Sequence, residues 1–218
     1  MLFKLSEFII PHPPIQVICP SSQKLPDVIE RINIILEEGI RWIQYRGKDS
    51  PRRRQFKDCL EIKKLCSLYN AIFIVNDYPD IAILVDADGV HIGQEDLPVE
   101  MVKRAFPLRI IGLSTHSLEE ALVAEKAGAT YIGFGPIFPT TTKDAGKPKG
   151  PSAIKEIKRN IKLPLVAIGG IKAENLIPVF ENGADAIAVS SGIIEGDVKR
   201  NVRSFLKIIE ELRNASNY

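Results

Sequence analysis

The chain has 218 residues, 45% of them hydrophobic and 26% charged, which fits one globular domain with a substantial core and excludes disordered, fibrous and two-domain architectures. Lys and Arg number 29 against 27 Asp and Glu, and a net charge of +2 gives no global field for collecting nucleic acid or an anionic membrane, so any anion must be bound locally. Three cysteines cannot pair completely, and no apolar run reaches the ~18 residues needed to cross a bilayer, so a reduced, cytoplasmic protein is expected.

From the N-terminus, residues 1–14 read as an apolar arm. It carries Glu7, lacks a small-residue cleavage site and runs into Pro11, Pro13 and Pro14, so it is expected to pack on the fold and not to be a signal peptide. Short β-branched runs then alternate with longer stretches of helical period, the pattern of consecutive βα units on a parallel sheet. Strands are expected at about 15–19, 41–45, 71–75, 89–92, 110–113, 131–133, 164–168 and 186–189. Helices are expected at about 25–38, 51–69, 79–85, 98–105, 117–127, 151–160, 173–181 and 198–214. Cys59 and Cys66 fall on one buried face of the second helix. Gly39, Gly128 and Gly183 close helices just before a strand, and Ser117-Leu118-Glu119-Glu120 has the form of a capping box. Residues 126–133 and 181–188 look like variants of one unit. Eight such units predict an α/β fold, a (β/α)8 TIM barrel occupying 1–218 as a single domain. An open doubly wound sheet usually carries Gly-x-Gly-x-x-Gly after its first strand, and none follows Cys19.

In such a barrel the site lies at the carboxyl ends of the strands, where this sequence is rich in polar residues. Gln44, Arg46 and Lys48 mark the second strand's end, Asn76-Asp77 the third, Gln94-Glu95-Asp96 the fourth and Ser114-Thr115-His116 the fifth. Thr140-Thr141-Thr142-Lys143 follows the sixth, Gly169-Gly170 the seventh and Ser190-Ser191-Gly192 the eighth. The last two loops suit a phosphate cup, because small residues let backbone amides and a helix N-terminus approach phosphate oxygens; the alternative is that the glycines only shape tight turns. Asp77 and Asp96 follow neighbouring strands and offer the hard oxygens that Mg²⁺ prefers, or else cap the helices entered at Pro79 and Pro98. Arg46, Lys48 and Lys143 beside these acids suggest a polyphosphate, with surface salt bridges as the alternative. His91 reads as structural, and His116 either has a chemical role or satisfies a backbone group. Arg52, Arg53 and Arg54 form a basic run at a helix start, which suits a solvated face or a subunit contact.

The loops, in this order, resemble those of the thiamine-phosphate synthases from Ile15 onward. The motifs that carry the resemblance are Gln44-x-Arg46-x-Lys48, Phe73-Ile-Val-Asn76-Asp77, Asp88-Gly-Val-His-Ile-Gly-Gln94-Glu-Asp96, Gly133-x-Gly135-Pro-Ile-Phe-Pro-Thr140-x-Thr142-Lys143 and Ala167-Ile-Gly-Gly-Ile171. The resemblance implies that Asp77 and Asp96 hold Mg²⁺ and that Arg46, Lys48, Asn76 and Lys143 contact the pyrophosphate of a hydroxymethylpyrimidine pyrophosphate. It further implies that Gln44 binds the pyrimidine, that Thr140, Thr142, Gly170 and the backbone at Ser190 and Ser191 hold a thiazole phosphate, and that Ser114 and Lys143 act at the reacting centre. Two positions depart from the family pattern: Gly47 stands where Glu is common, and Ile18-Cys19-Pro20-Ser21 replaces a Thr-Asp ending of the first strand. The implied partners are small molecules, with neither nucleic acid nor membrane, and homo-oligomerisation is left open.

Three other readings fit the same residues. A thiazole tautomerase of similar fold would use His116 but typically lacks the paired acids and the Thr-x-Thr-Lys loop. A Schiff-base aldolase would use Lys48 or Lys143. A barrel that senses thiazole phosphate without turnover is a further alternative.

Overall fold

A computed structural model describes residues 8–21, 24–48, 50–140 and 146–215. Eight parallel strands close into a barrel in sequence order: β1 (Ile15–Pro20), β2 (Trp42–Arg46), β3 (Ile72–Asn76), β4 (Gly89–Ile92), β5 (Ile110–Thr115), β6 (Tyr131–Phe134), β7 (Leu165–Ile168) and β8 (Ala186–Val189). The ring closes where β8 pairs with β1 through Ile15 with Ile187 and Val17 with Val189. Around it run α1 (Leu25–Glu37), α2 (Arg52–Leu68), α3 (Pro79–Leu84), α4 (Val99–Ala105), α5 (Leu118–Ala127), α6 (Ser152–Asn160), α7 (Ile177–Glu181), α8 (Ser191–Ile194) and α9 (Val198–Ala215). The helix expected over 173–181 is split into a 3-10 turn at Ala173–Asn175 and α7. Asn175 accepts from the Lys172 amide and donates to the Gly170 carbonyl, local bonds that compete with a continuous helix. The four-residue α8 was not expected, because one turn leaves no measurable period.

Alternation along each strand divides the core in two. Outward residues such as Val17, Ile43, Phe73, Val90 and Ile132 pack beneath the helices, while Ile18, Trp42, Ile74, Ile110, Tyr131, Val166 and Ala186 fill the lumen. At the amino end of the lumen Phe8 lies 5.3 Å from the Trp42 ring and 5.7 Å from that of Tyr131, and Trp42 and Tyr131 meet edge-on at 5.2 Å. Cys19, Cys59 and Cys66 are buried free thiols, and burial pushes Cys19 and Cys66 up to about 12.

A repeated fastening device closes the amino ends of the strands. Asp88 donates its amide to Phe73 O and accepts the Phe73 amide on its carboxylate; Asp185 does the same with Leu165, and Thr130 does it with Ile111 through its hydroxyl. Lys63 and Lys158 pair with Asp88 and Asp185 at 3.2 and 2.7 Å. Thr130 and Asp185 occupy equivalent places in the two sequence units 126–133 and 181–188, each two residues after a glycine at positive φ. The internal similarity therefore has a structural counterpart.

Candidate active site

The carboxyl ends of the strands gather the expected residues at one mouth. Gln44 and Arg46 stand on β2, with Lys48 just beyond. Gln44 is buried and donates to Asn76 Oδ1 at 2.8 Å, so the two amides orient each other across β2 and β3. Asp77 follows β3 in a left-handed conformation, φ 66, its amide tied to His91 O at 2.8 Å. Asp96 folds back after β4 and accepts the Gly93 amide at 2.6 Å. Neither acid caps a helix: α3 and α4 begin after Tyr78 and Pro98 without any side-chain cap. The two side chains instead lie near enough for the charge of Asp96 to act on Asp77. Burial first, then the charge of Asp96, raises Asp77 to about 6, and Lys48 and Arg46 pull the other way.

A cavity of about 440 Å³ opens beside the acids. Arg46, Ser114, His116, Thr140, Gly170 and Ser191 are among its lining. The acids, Gln44, Lys48 and Asn76 lie off this lining, so the mouth has an acidic half over β2 to β4 and an open half over β5 to β8 and the end of β1, with Arg46 and Ser114 bordering the open half. Gly170 has φ +64, and a Cβ there would come within 2.4 Å of Pro139 O, so only glycine lets the β7 loop lie this close to the β6 loop. Ser190 commits its hydroxyl to Ile18 O at 2.8 Å and its carbonyl to the Ile193 and Ile194 amides at 3.0 Å. The amides of Ser191 and Gly192 precede the first intrahelical bond of α8, and α8 is held from behind by Arg31 on Ile194 O and by Asn201 on Ile193 O and Glu195 O. Thr142 and Lys143 lie outside the described residues.

Several surrounding residues receive definite roles. Ser117 caps α5 by accepting the Glu120 amide at 3.2 Å, but the Glu120 carboxylate turns to His116, accepting its amide at 2.7 Å with its ring Nδ1 at 3.0 Å. His116 thus lines the cavity with one ring nitrogen held by an acid. Arg52 pairs with Asp80 and lies 4.2 Å over the Tyr78 ring, while Arg54 pairs with Asp58 at 3.5 Å and donates to Ser21 O. These two arginines brace the mouth loops, which the basic run alone did not disclose. Gly47, a departure from the family pattern, is explained by packing: a Cβ there would meet Tyr45 Cε1 at 2.8 Å and Gln55 Cγ at 2.9 Å.

Sequence reasoning treated His91 as structural and missed its link to Ser114. His91 Nε2 lies 2.9 Å from Ser114 Oγ, and its Nδ1 lies 2.9 Å from Tyr131 Oη. The available signal was a lumen-facing histidine opposite two small lumen positions, Gly112 and Gly133, on the next two strands.

Comparison with known proteins decides the family. The family model described as thiamine monophosphate synthase matches residues 15–193. The thiamine-phosphate synthase of Methanosarcina barkeri is 46% identical over 202 residues, covering 91% of each chain. The chain belongs to the thiamine monophosphate synthase family. Within it, the solved thiamine phosphate pyrophosphorylase of Pyrococcus furiosus superposes with a TM-score of 0.82 at 39% identity, over 91% of this chain and 96% of that one. The barrel itself is shared more widely: 3-hexulose-6-phosphate synthase from Salmonella typhimurium superposes with a TM-score of 0.70 at 16% identity, over 91% of this chain and 99% of that one, a likeness of fold alone.

Proposed function

We propose that this member of the family condenses hydroxymethylpyrimidine pyrophosphate with a thiazole phosphate to give thiamine phosphate and pyrophosphate. The observation that carries the reading is the convergence of Asp77 and Asp96 beside a cavity whose far wall is a small-residue cup. A half-buried Asp77 whose proton affinity is raised by the neighbouring Asp96 fits a divalent cation, since such an ion would relieve the repulsion. Among the described residues no cluster of three or more His, Cys, Asp or Glu ligands exists. Two acids suit Mg²⁺, which keeps waters and takes further oxygens from substrate phosphates. Asp77 and Asp96 would hold it, and when bound it would neutralise charge on the departing pyrophosphate.

The chain's own groups account for the rest. Arg46 and Lys48, with Asn76 and Lys143, contact the pyrophosphate, and their positive charge favours its departure. Gln44, held by Asn76, presents the amide that binds the pyrimidine. Thr140 and Thr142, Gly170 and the backbone at Ser190 and Ser191 hold the thiazole phosphate, where α8 adds the positive end of a helix. Ser114 stands beside the reacting centre. The pyrimidine methylene left by pyrophosphate departure is a resonance-stabilised cation that the thiazole nitrogen captures, so no strong general base is required. The enzyme's contribution is orientation of two substrates and stabilisation of a leaving group.

The test combines purified protein with both phosphorylated heterocycles and Mg²⁺, following thiamine phosphate and pyrophosphate. Equal amounts of the two products that vanish on chelation are expected. Isomerisation of the thiazole phosphate without pyrophosphate release would replace this reading with a tautomerase centred on His116.

A further inference from the structure

A chain of buried polar groups crosses the lumen beneath Ser114. Gln16 Nε2 donates to Tyr131 Oη at 3.2 Å, Tyr131 Oη lies 2.9 Å from His91 Nδ1, and His91 Nε2 lies 2.9 Å from Ser114 Oγ. Gln16, Tyr131 and His91 are all buried, and of the four only Ser114 lines the cavity. Space for the chain is built into the barrel: a Cβ on Gly112 would come within 2.2 Å of Tyr131 Cζ and 2.5 Å of His91 Nδ1. Phe8 and Trp42 flank the Tyr131 ring and fix the hydroxyl from below.

The donors and acceptors assign a direction. The Gln16 amide nitrogen can only donate, so the phenolic oxygen accepts from it, and donating its own proton to His91 Nδ1 then keeps this buried hydroxyl satisfied as both donor and acceptor. Burial pushes the Tyr131 phenol well up, so it keeps that proton. An imidazole that accepts at Nδ1 carries its hydrogen on Nε2. We infer that His91 is a positioning residue that donates from Nε2 to Ser114 Oγ, so that the serine directs its hydroxyl proton into the cavity toward an acceptor atom of the bound substrates. Gln94 steadies the same residue by donating to Ser114 O at 2.6 Å. The inference rests on the proposed place of Ser114 beside the reacting centre and adds the device that orients it.

The experiment has a spectroscopic and a kinetic arm. In the intact protein with ¹⁵N-labelled histidine, long-range ¹H–¹⁵N correlation reads which ring nitrogen is protonated, and the His91 signals are those lost in His91→Gln. A hydrogen on Nε2 is expected, shifting toward a tautomer mixture in Tyr131→Phe. In the coupling assay, His91→Ala should lower kcat roughly 10- to 100-fold, as expected for a misplaced group at a reacting centre. The KM for thiazole phosphate should change little, and His91→Gln, which restores an N–H near Ser114, should recover part of the loss. His91→Ala added to Ser114→Ala should cost nothing further. Thermal unfolding identifies any variant that fails to fold, in which case the wild-type spectrum and His91→Gln carry the decision. A hydrogen on Nδ1 in the wild type, or full kcat in a folded His91→Ala beside an impaired Ser114→Ala, overturns the inference alone. Full kcat in Ser114→Ala removes the reading of Ser114 and with it the device.

Discussion

At the amino ends of the strands, Asp88, Thr130 and Asp185 each satisfy both backbone groups of one residue near the start of the neighbouring strand, and two of them carry a lysine partner. At the carboxyl ends the same residue type is used in the opposite way. Asp77 and Asp96 lie close enough for the charge of Asp96 to raise Asp77, neither caps a helix, and Asp77 holds a backbone conformation that favours glycine. One end of the barrel uses its carboxylates to hold strands together, and at the other Asp77 sits beside a second acid, Asp96, that binds only the amide of its own loop at Gly93. The contrast teaches that an aspartate's role here follows from which end of a strand it borders.

The sharpest way to break that comparison is to neutralise one acid at the mouth. Asp77→Asn tolerates the left-handed backbone that alanine would strain. It should lower kcat for coupling roughly 10²- to 10³-fold through lost stabilisation of the leaving group. In metal-free protein, thermal stability should hold or rise, because a repulsive pair has been removed. Loss of both activity and stability would mean that Asp77 belongs with the fastening aspartates. Next in size is Gly170→Ala, where positive φ and the approach to Pro139 O should cost about 1–3 kcal/mol of stability. Displacing the β7 loop should raise the KM for thiazole phosphate more than it lowers kcat, and an unchanged KM would take this loop out of the phosphate cup.

The barrel was legible because fully buried strands appear as short β-branched runs between helix-ending glycines, and two of the eight, β4 and β8, begin and end where expected. Most of the others shift by a residue or two, since pairing register and not composition sets a strand's end. At the site, residue type and place after a strand brought out Asp77, Asp96, Arg46 and Gln44, whose groups meet at the mouth. What stayed hidden was contact between groups distant in sequence: Glu120 turning from its capping role to His116, Arg52 stacking on Tyr78, and His91 bonding Ser114. Each depends on side-chain direction across neighbouring elements, which a linear pattern does not record.

At the fastened end the expected pattern is inverted. Asp185→Ala leaves the Leu165 amide and Lys158 without their carboxylate, and about 1–3 kcal/mol of stability should be lost, read by denaturant unfolding. The kcat of the folded fraction should be unchanged, because Asp185 lies at the opposite end of the strands from the cavity. A fall in kcat at full occupancy of the native state would show that the two ends are coupled through the strands.

The smallest effect belongs to Glu38, just past α1, which binds Arg203 through both oxygens at 2.7 and 3.1 Å and lies 3.4 Å from Lys199. The hydrogen bond from Arg203 is the largest cause holding this carboxyl below its usual 4.5. A carboxylate with a depressed folded-state pKa stabilises the native state above its unfolded value and loses that contribution as the pH falls through the folded one. Stability curves of the wild type and Glu38→Gln should therefore separate near neutral pH and converge below 4.5. Added salt should narrow the gap, since an exposed pair is screened. Coupling activity should not distinguish the two proteins, and a pH-independent gap would mean that packing, not charge, holds α9 against α1.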